Sequence, residues 1–322
     1  MKRSTLIWLI VAASATLVGS MIFVGAMSAM SWDFKKLSNT KYETNEYQIS
    51  EDFSAISIDT DTADVELVLT DAPNASVVCC EEENMKHSVE VKDSTLIIKV
   101  VNTKKWHDYI GIVNIGSGKI TVYLPKSEYG ALNVEATTGV LHIPSDFSFE
   151  SIDVSLTTGG VTNKASCSGG VRIKTTTGSI TVDSASAQTL DLTLTTGKAT
   201  LSRIACEGGI SVKVTTGKTY IKDVTCKTLS SSGNTGDIVM KNVIAEQSLT
   251  INRSTGDVEF ENCDAGEIFI ETDTGDVEGS LLSEKVFIVT TDTGDIEVPK
   301  STAGGICEIT TDTGDVEIDI KG

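Results

Sequence analysis

A Thr-Gly dipeptide returns ten times along this chain, with its glycine at Gly139, Gly159, Gly178, Gly197, Gly217, Gly236, Gly256, Gly275, Gly294 and Gly314. Every step is 19 or 20 residues, and a fixed period of that length marks stacked supersecondary units. Apolar residues fill the columns seven and five positions before the glycine, as in Leu190 and Leu192 or Ile210 and Val212, and again two positions after it, as in Ile180 and Val258. They alternate with polar neighbours at period two, which is strand spacing. Each unit reads as strand, Thr-Gly corner, strand and return. One unit has too few apolar side chains to close a core, whereas stacking on neighbours about 4.8 Å away builds continuous inner ladders. The expected fold is therefore all-β, a parallel β-solenoid of about ten 19–20-residue rungs over residues 126–322. The corner glycine is expected at positive φ, which it adopts without a Cβ penalty. The threonine before it suits a hydroxyl ladder or bonds to corner amides, a structural role rather than a catalytic one.

Residues 47–125 carry further strand-like runs, among them Val65-Glu66-Leu67-Val68-Leu69 and Ile120-Thr121-Val122-Tyr123-Leu124-Pro125. Thr60-Asp61-Thr62-Ala63-Asp64-Val65-Glu66 reads as a degenerate copy of Thr272-Asp273-Thr274-Gly275-Asp276-Val277-Glu278, with alanine in the glycine slot. This region is expected to be a diverged β continuation that caps the first regular rung, because an open sheet edge there would invite pairing with other chains.

The N-terminus sets a cellular address. Leu6 to Met30 is free of charge and would make about 37 Å of helix, enough to cross a bilayer. Lys2 and Arg3 precede it, so the positive-inside rule leaves residues 1–5 in the cytoplasm and sends the remainder across, a vote that Lys35 and Lys36 weaken slightly. An uncleaved signal-anchor helix over 6–30 is expected, followed by a polar stalk over 31–46. A cleavable signal peptide is the alternative, although its apolar region is normally about 7 to 15 residues long and ends in an A-x-A-like site. The resulting protein is a single-pass protein of the cell membrane with an extracytoplasmic C-terminal domain.

The run from Tyr47 to Pro125, the segment Ser57-Ile58-Asp59-Thr60-Asp61-Thr62-Ala63-Asp64-Val65 and the Thr-Gly-Asp corners together resemble the bacterial putative-adhesin β-strand-repeat family, a cell-envelope domain of unknown function. The likeness spans about residues 45–322. It implies an extracytoplasmic β-solenoid and supplies no catalytic or binding residues. The early corners here read Thr-Thr-Gly without the aspartate, which restricts any role of those acids to the later rungs.

With 45 acidic against 26 basic side chains the formal net charge is -19, which disfavours nucleic acid as a partner. Most of the acid sits late: residues 233–322 hold 20 acidic and 5 basic groups, whereas 120–232 hold 9 and 10. Asp237, Asp257, Asp276, Asp295 and Asp315 follow the corner glycine, Asp273, Asp292 and Asp312 precede it by two, and Glu259, Glu278, Glu297 and Glu317 follow it by three. Unit charges about 5 Å apart repel by roughly 0.8 kcal/mol in water and about 3 at an effective dielectric of 20. Weak calcium binding at Asp276, Asp295, Asp315, Asp273, Asp292 and Asp312 would relieve that repulsion, with corner carbonyls as further oxygen donors. A solvated, salt-screened face is the alternative. No other cofactor is expected. A polysaccharide-active enzyme is disfavoured, because a repeated column gives each acid nearly the same surroundings and cannot push two pKa values apart.

The seven cysteines, Cys79, Cys80, Cys167, Cys206, Cys226, Cys263 and Cys307, include no CxxC pair, and no histidine stands at ligand spacing, so no zinc site is expected. Cys206 and Cys226 fall in one column on adjacent rungs, either as free buried fillers or as a disulfide. Cys79 and Cys80 should face opposite sides of a strand. The expected function is a non-enzymatic membrane-anchored surface for a protein or cell-wall polymer, as adhesin or scaffold. An accessory or regulatory protein of an envelope-stress system is the alternative.

Overall fold

A computed structural model describes residues 3–29, 31–32, 41–104 and 118–321. Met30, Lys2, Lys35, Lys36, His107 and residues 33–40 of the expected stalk lie outside that set. Arg3–Ala29 is one continuous apolar α-helix of 27 residues, long enough to cross a membrane. Beyond it the described chain is almost entirely strand, wound as a β-solenoid of about ten turns. The fold expected from the repeat is thus borne out.

Rungs stack parallel and in register. Ile152, Val171, Leu190 and Ile210 stand in one column, as do Val154, Ile173, Leu192 and Val212, and all eight are buried in the single continuous core. The glycine corners stack as well, Gly159 on Gly178, Gly197 and Gly217. Gly217 has φ +138°, and a Cβ placed there would lie 1.7 Å from the carbonyl oxygen of Gly197. Glycine is required twice over, for backbone conformation and for the approach of the rung beneath. A second corner lies six residues further on, where Ser184, Arg203, Asp223, Asn242 and Asn262 take φ of 53–55°. No glycine marks it. Asn242 Nδ2 donates to Asp223 Oδ1 at 2.7 Å and Asn262 Nδ2 to Asn242 Oδ1 at 3.4 Å, which suits residues that tolerate the left-handed region.

At the N-terminal end Ala55–Thr70 forms a rung in its own right. It pairs in parallel with Glu128–Ile143, with Ile56 beside Leu132 and Thr62 beside Thr138. Its other edge is split between Thr95–Asn102 and Gly118–Pro125. These two strands then turn antiparallel partners outward, Met85–Lys92 on the first and Ala75–Glu82 on the second. Tyr42–Ile49 adds a last antiparallel strand against Ala75–Glu82. The stalk expected through Glu46 is therefore shorter than its polarity suggested. Tyr42–Glu46 has few apolar residues because its task is to cover a strand edge, and Glu43 and Asn45 do so through polar contacts with Lys86 and Glu81.

The C-terminal end departs from sequence order. Gly305–Thr313 pairs on one side with Val258–Thr274 and on the other with Lys285–Thr293. Val316–Ile320 likewise lies between Val277–Leu281 and Ile296–Glu297. The last turn of the chain is thus inserted beneath the turn that precedes it, and Lys285–Glu297 becomes the outermost rung. Its side chains show the open position, with Ile288 at 50% and Ile296 at 47% exposure.

Candidate functional site

The residue following the corner glycine forms the most regular charged column. It reads Lys198 and Lys218 on the upper Thr-Thr-Gly corners, then Asp237, Asp257, Asp276, Asp315 and Asp295 in spatial order. Asp276, Asp295 and Asp315 do occupy successive corners, but not in sequence order, because the inserted last turn places Asp315 in the middle. Each carboxylate accepts the backbone N–H of the next aspartate: Asp276 N–H donates to Asp257 Oδ1 at 3.0 Å, Asp315 N–H to Asp276 Oδ1 at 2.8 Å and Asp295 N–H to Asp315 Oδ1 at 2.8 Å. Asp64 makes the same bond to Val140 N–H at 2.9 Å, so the degenerate copy keeps the device without the glycine. The corner carbonyls expected as further calcium donors already accept ladder bonds, as in Val277 N–H to Asp315 O at 2.9 Å.

Lys218 Nζ sits 2.7 Å from Asp237 Oδ2, at the seam between lysine and aspartate corners. The Lys218 ammonium above all, and then the Asp257 N–H, hold the Asp237 carboxyl below the usual range against an opposing effect of burial. Asp273, Asp292 and Asp312 are exposed on the near side of these corners. The glutamate column stacks Glu259, Glu278, Glu317 and Glu297, and its first three members line an open groove of about 360 Å³ with Lys241 and Lys321.

Inside the rod the column three positions before the corner glycine changes character at the same seam. It holds Leu156, Thr175, Leu194 and Val214 in the middle rungs, mostly apolar, then Gly233, Arg253, Thr272 and Thr311. Arg253 is 1% exposed, and its guanidinium donates to Val214 O, Thr219 Oγ1 and Ser231 Oγ at 3.1–3.3 Å. Gly233 opposite leaves it room, since a Cβ there would lie 2.0 Å from Arg253 Nη1. Burial pulls the guanidinium pKa down to about 10.

One cluster was not expected from sequence. Cys79 and Glu81 lie two apart on Ala75–Glu82, facing inward, and His87 reaches them from Met85–Lys92 across the tight turn at 83–84. One ligand atom from each of the three lies within 4.8 Å of the others, and all three residues are buried. Glu81 Oε2 is 2.7 Å from His87 Nδ1 and accepts His87 N–H at 2.6 Å, while Glu81 Oε1 accepts from Asn45 Nδ2 at 2.7 Å. Thr60 Oγ1 is 2.9 Å from His87 Nε2. Burial, aided by the charge of Glu81, pushes the Cys79 thiol up to about 12. Strand alternation puts Cys79 and Glu81 on one face, but the Glu82–Met85 register would set His87 opposite Cys80; His87 reaches Glu81 because Met85–Lys92 leaves Ala75–Glu82 after that one pair to join Thr95–Asn102. Cys80 points the other way and is half-buried, as alternation requires. All seven cysteines are free, including Cys206 and Cys226 on adjacent rungs.

The family model described as Toastrack DUF4097 matches residues 53–217 and 205–322. Among curated proteins there is no significant sequence match. Among solved structures, a putative adhesin from Bacteroides fragilis is 15% identical, covering 88% of this chain and 98% of its own at a TM-score of 0.43. A putative adhesin from Parabacteroides merdae is 13% identical, covering 75% and 97% at 0.49. A putative lipid binding protein from Parabacteroides distasonis is 20% identical, covering 75% and 95% at 0.47. The family resemblance read from the repeats is confirmed by the family model, which runs from the first rung to the C-terminus: the chain belongs to the Toastrack DUF4097 family.

Proposed function

We propose that this protein is a membrane-anchored, extracytoplasmic scaffold or adhesin of the bacterial cell envelope that binds its partner along a solenoid face, without catalysis. The observation that carries the reading is the union of one unburied apolar helix with a rod whose outward columns repeat the same charged side chains rung after rung. A repeated column suits an extended partner, because each rung offers the same contact one strand spacing further on. Stacked carboxylates at one end favour a partner bearing amines, either a basic protein segment or an amine-bearing wall polymer. Weak calcium at the corner aspartates fits the same surface, with the ion bridging carboxylate oxygens that the amides leave free.

Topology and anchoring are tested together in intact cells after wall removal. Externally added protease should digest the solenoid domain, and the undigested chain should stay with the membrane in high salt. A mature chain beginning near Ala29 in the medium would overturn the anchored reading, and protection from external protease would overturn the extracytoplasmic one.

A further inference from the structure

The geometry points to a divalent transition-metal site of the zinc type in the N-terminal cap, with Cys79, Glu81 and His87 as ligands. Thiolate, imidazole and carboxylate are zinc's ordinary ligand types, whereas calcium would require six or more oxygens. The three ligand atoms lie within 4.8 Å of one another, and tetrahedral zinc bonds of about 2.0–2.3 Å place ligand atoms about 3.3–3.6 Å apart. A small contraction around Cys79 and a slight opening of the 2.7 Å Glu81–His87 contact bring the set to that spacing. A hydrogen bond between two ligands is also what a metal-free site is expected to contain, with a proton standing where the ion would be.

Charge supports the same assignment. One carboxylate and one thiolate neutralise a divalent ion, so the filled site places no net charge in a buried position, where an uncompensated charge is costly. On binding, the Cys79 thiol proton leaves to solvent. The imidazole stays neutral by holding its proton at Nε2, where Thr60 Oγ1 accepts it, while Nδ1 turns its lone pair to the ion. Two supporting contacts are already in place: Thr60 Oγ1 at 2.9 Å from Nε2 and Asn45 Nδ2 at 2.7 Å from Glu81 Oε1. Such contacts hold ligands in orientation, and their loss ordinarily weakens metal binding about 10–100-fold. The four elements that meet here are the first rung, two cap strands and the edge strand Tyr42–Ile49. The ion would therefore join the two cap strands, with the first rung and the edge strand tied in only through the Thr60 and Asn45 hydrogen bonds.

The test uses the full-length chain in detergent, reduced and stripped of metal, then titrated with zinc or with cobalt as a coloured substitute. We expect one tightly held zinc per chain after dialysis and a thiolate-to-cobalt charge-transfer band that saturates at one equivalent. Cys79→Ser should abolish the band, and His87→Gln should weaken zinc binding by at least about 100-fold. Asn45→Ala, on the edge strand and outside the core, should weaken zinc about tenfold while leaving the far-ultraviolet circular dichroism unchanged, which keeps the proposal testable if a ligand variant misfolds. Cys80→Ser and the triple Asp276→Asn, Asp295→Asn, Asp315→Asn variant should bind as the parent does. Absence of the cobalt band in the parent chain would overturn the assignment, as would a band surviving in Cys79→Ser or lost in Cys80→Ser.

Discussion

The rungs carrying Gly159 to Gly217 and those carrying Gly236 to Gly314 close the same corner by different chemistry. In the first group the strand ladder runs through the corner, Gly178 on Gly197 and Lys198 on Gly217's neighbour Lys218, and the space inside is filled mostly by Leu156, Leu194 and Val214. In the second group the ladder breaks at Gly-Asp and resumes at the next apolar residue. The aspartate side chain then takes the amide of the next rung. Thr311 Oγ1 meanwhile donates to Gly275 O at 3.2 Å and Thr291 Oγ1 to Gly314 O at 3.1 Å. A corner can therefore be held by continuous backbone pairing over an apolar filling, or by side chains standing in for backbone partners over a polar filling. Between these two groups the switch lies between Gly217 and Gly236, where Lys218 and Asp237 pair across it, and Asp64 of the first rung repeats the aspartate device at the opposite end.

The largest expected difference is steric. A Cβ at Gly217 would meet Gly197 O at 1.7 Å, whereas at Gly256 it would meet Gly236 O at 2.5 Å. Both glycines hold positive φ, so both substitutions carry backbone strain of about 1–3 kcal/mol. We expect both to cost more than the strain alone, because both Cβ positions fall under 3.0 Å from backbone atoms, with Gly217→Ala above about 3 kcal/mol and costlier than Gly256→Ala, whose contact is less tight. Equal losses in urea unfolding would show that the two corner types are equally tight.

A smaller effect separates neighbouring aspartates and reads the rung order directly. Asp315 accepts the Asp295 amide, and Asp295 has no further rung to serve. Asp315→Ala should therefore cost about 1 kcal/mol and Asp295→Ala close to nothing, with Asp315→Asn near neutral because its amide oxygen still accepts. In a rod stacked in sequence order the two alanine results would be exchanged. Repeating the melts in calcium chloride and in sodium chloride at matched ionic strength separates binding from screening. Calcium at ten times its Kd would add about 1.4 kcal/mol, and an increment that survives in the triple asparagine variant would remove the corner aspartates as its source.

The seam provides the smallest effect. Because Asp237 titrates below its unfolded value, its contribution is present above the ordinary carboxylate pKa and is lost as pH falls through the depressed one. Both partners are substantially solvated, so solvent screens the pair and the effect is small. Lys218→Met should flatten the acid limb of the stability profile below the ordinary carboxylate range, and an unchanged limb would mean that the pair does not couple the two regions.

How much of this was legible depends on what the pattern encodes. Period two and the glycine spacing record which side chains face inward, so the rungs, their register and the Thr-Gly corner could be read. The second corner could not, because Ser184, Arg203 and Asn242 share no residue type; what they share is a φ near 54°. The interchange of the last two turns left no trace either. Thr272-Asp273-Thr274-Gly275-Asp276, Thr291-Asp292-Thr293-Gly294-Asp295 and Thr311-Asp312-Thr313-Gly314-Asp315 are equivalent by pattern, and equivalent units do not specify who lies beside whom. The cap cluster left no spacing signal along the chain, because His87 meets Glu81 only through the divergence of Met85–Lys92 from Ala75–Glu82.

A chain made from its N-terminus brings out the cap before the later turns. Residues 285–297 emerge before residues 305–320, yet the berth they finally occupy rests on those later residues. Until residues 305–320 have emerged, the turn at 285–297 has no permanent neighbour. Residues 305–320 thus work as a keystone: neither their own turn nor the one at 285–297 settles until they have docked.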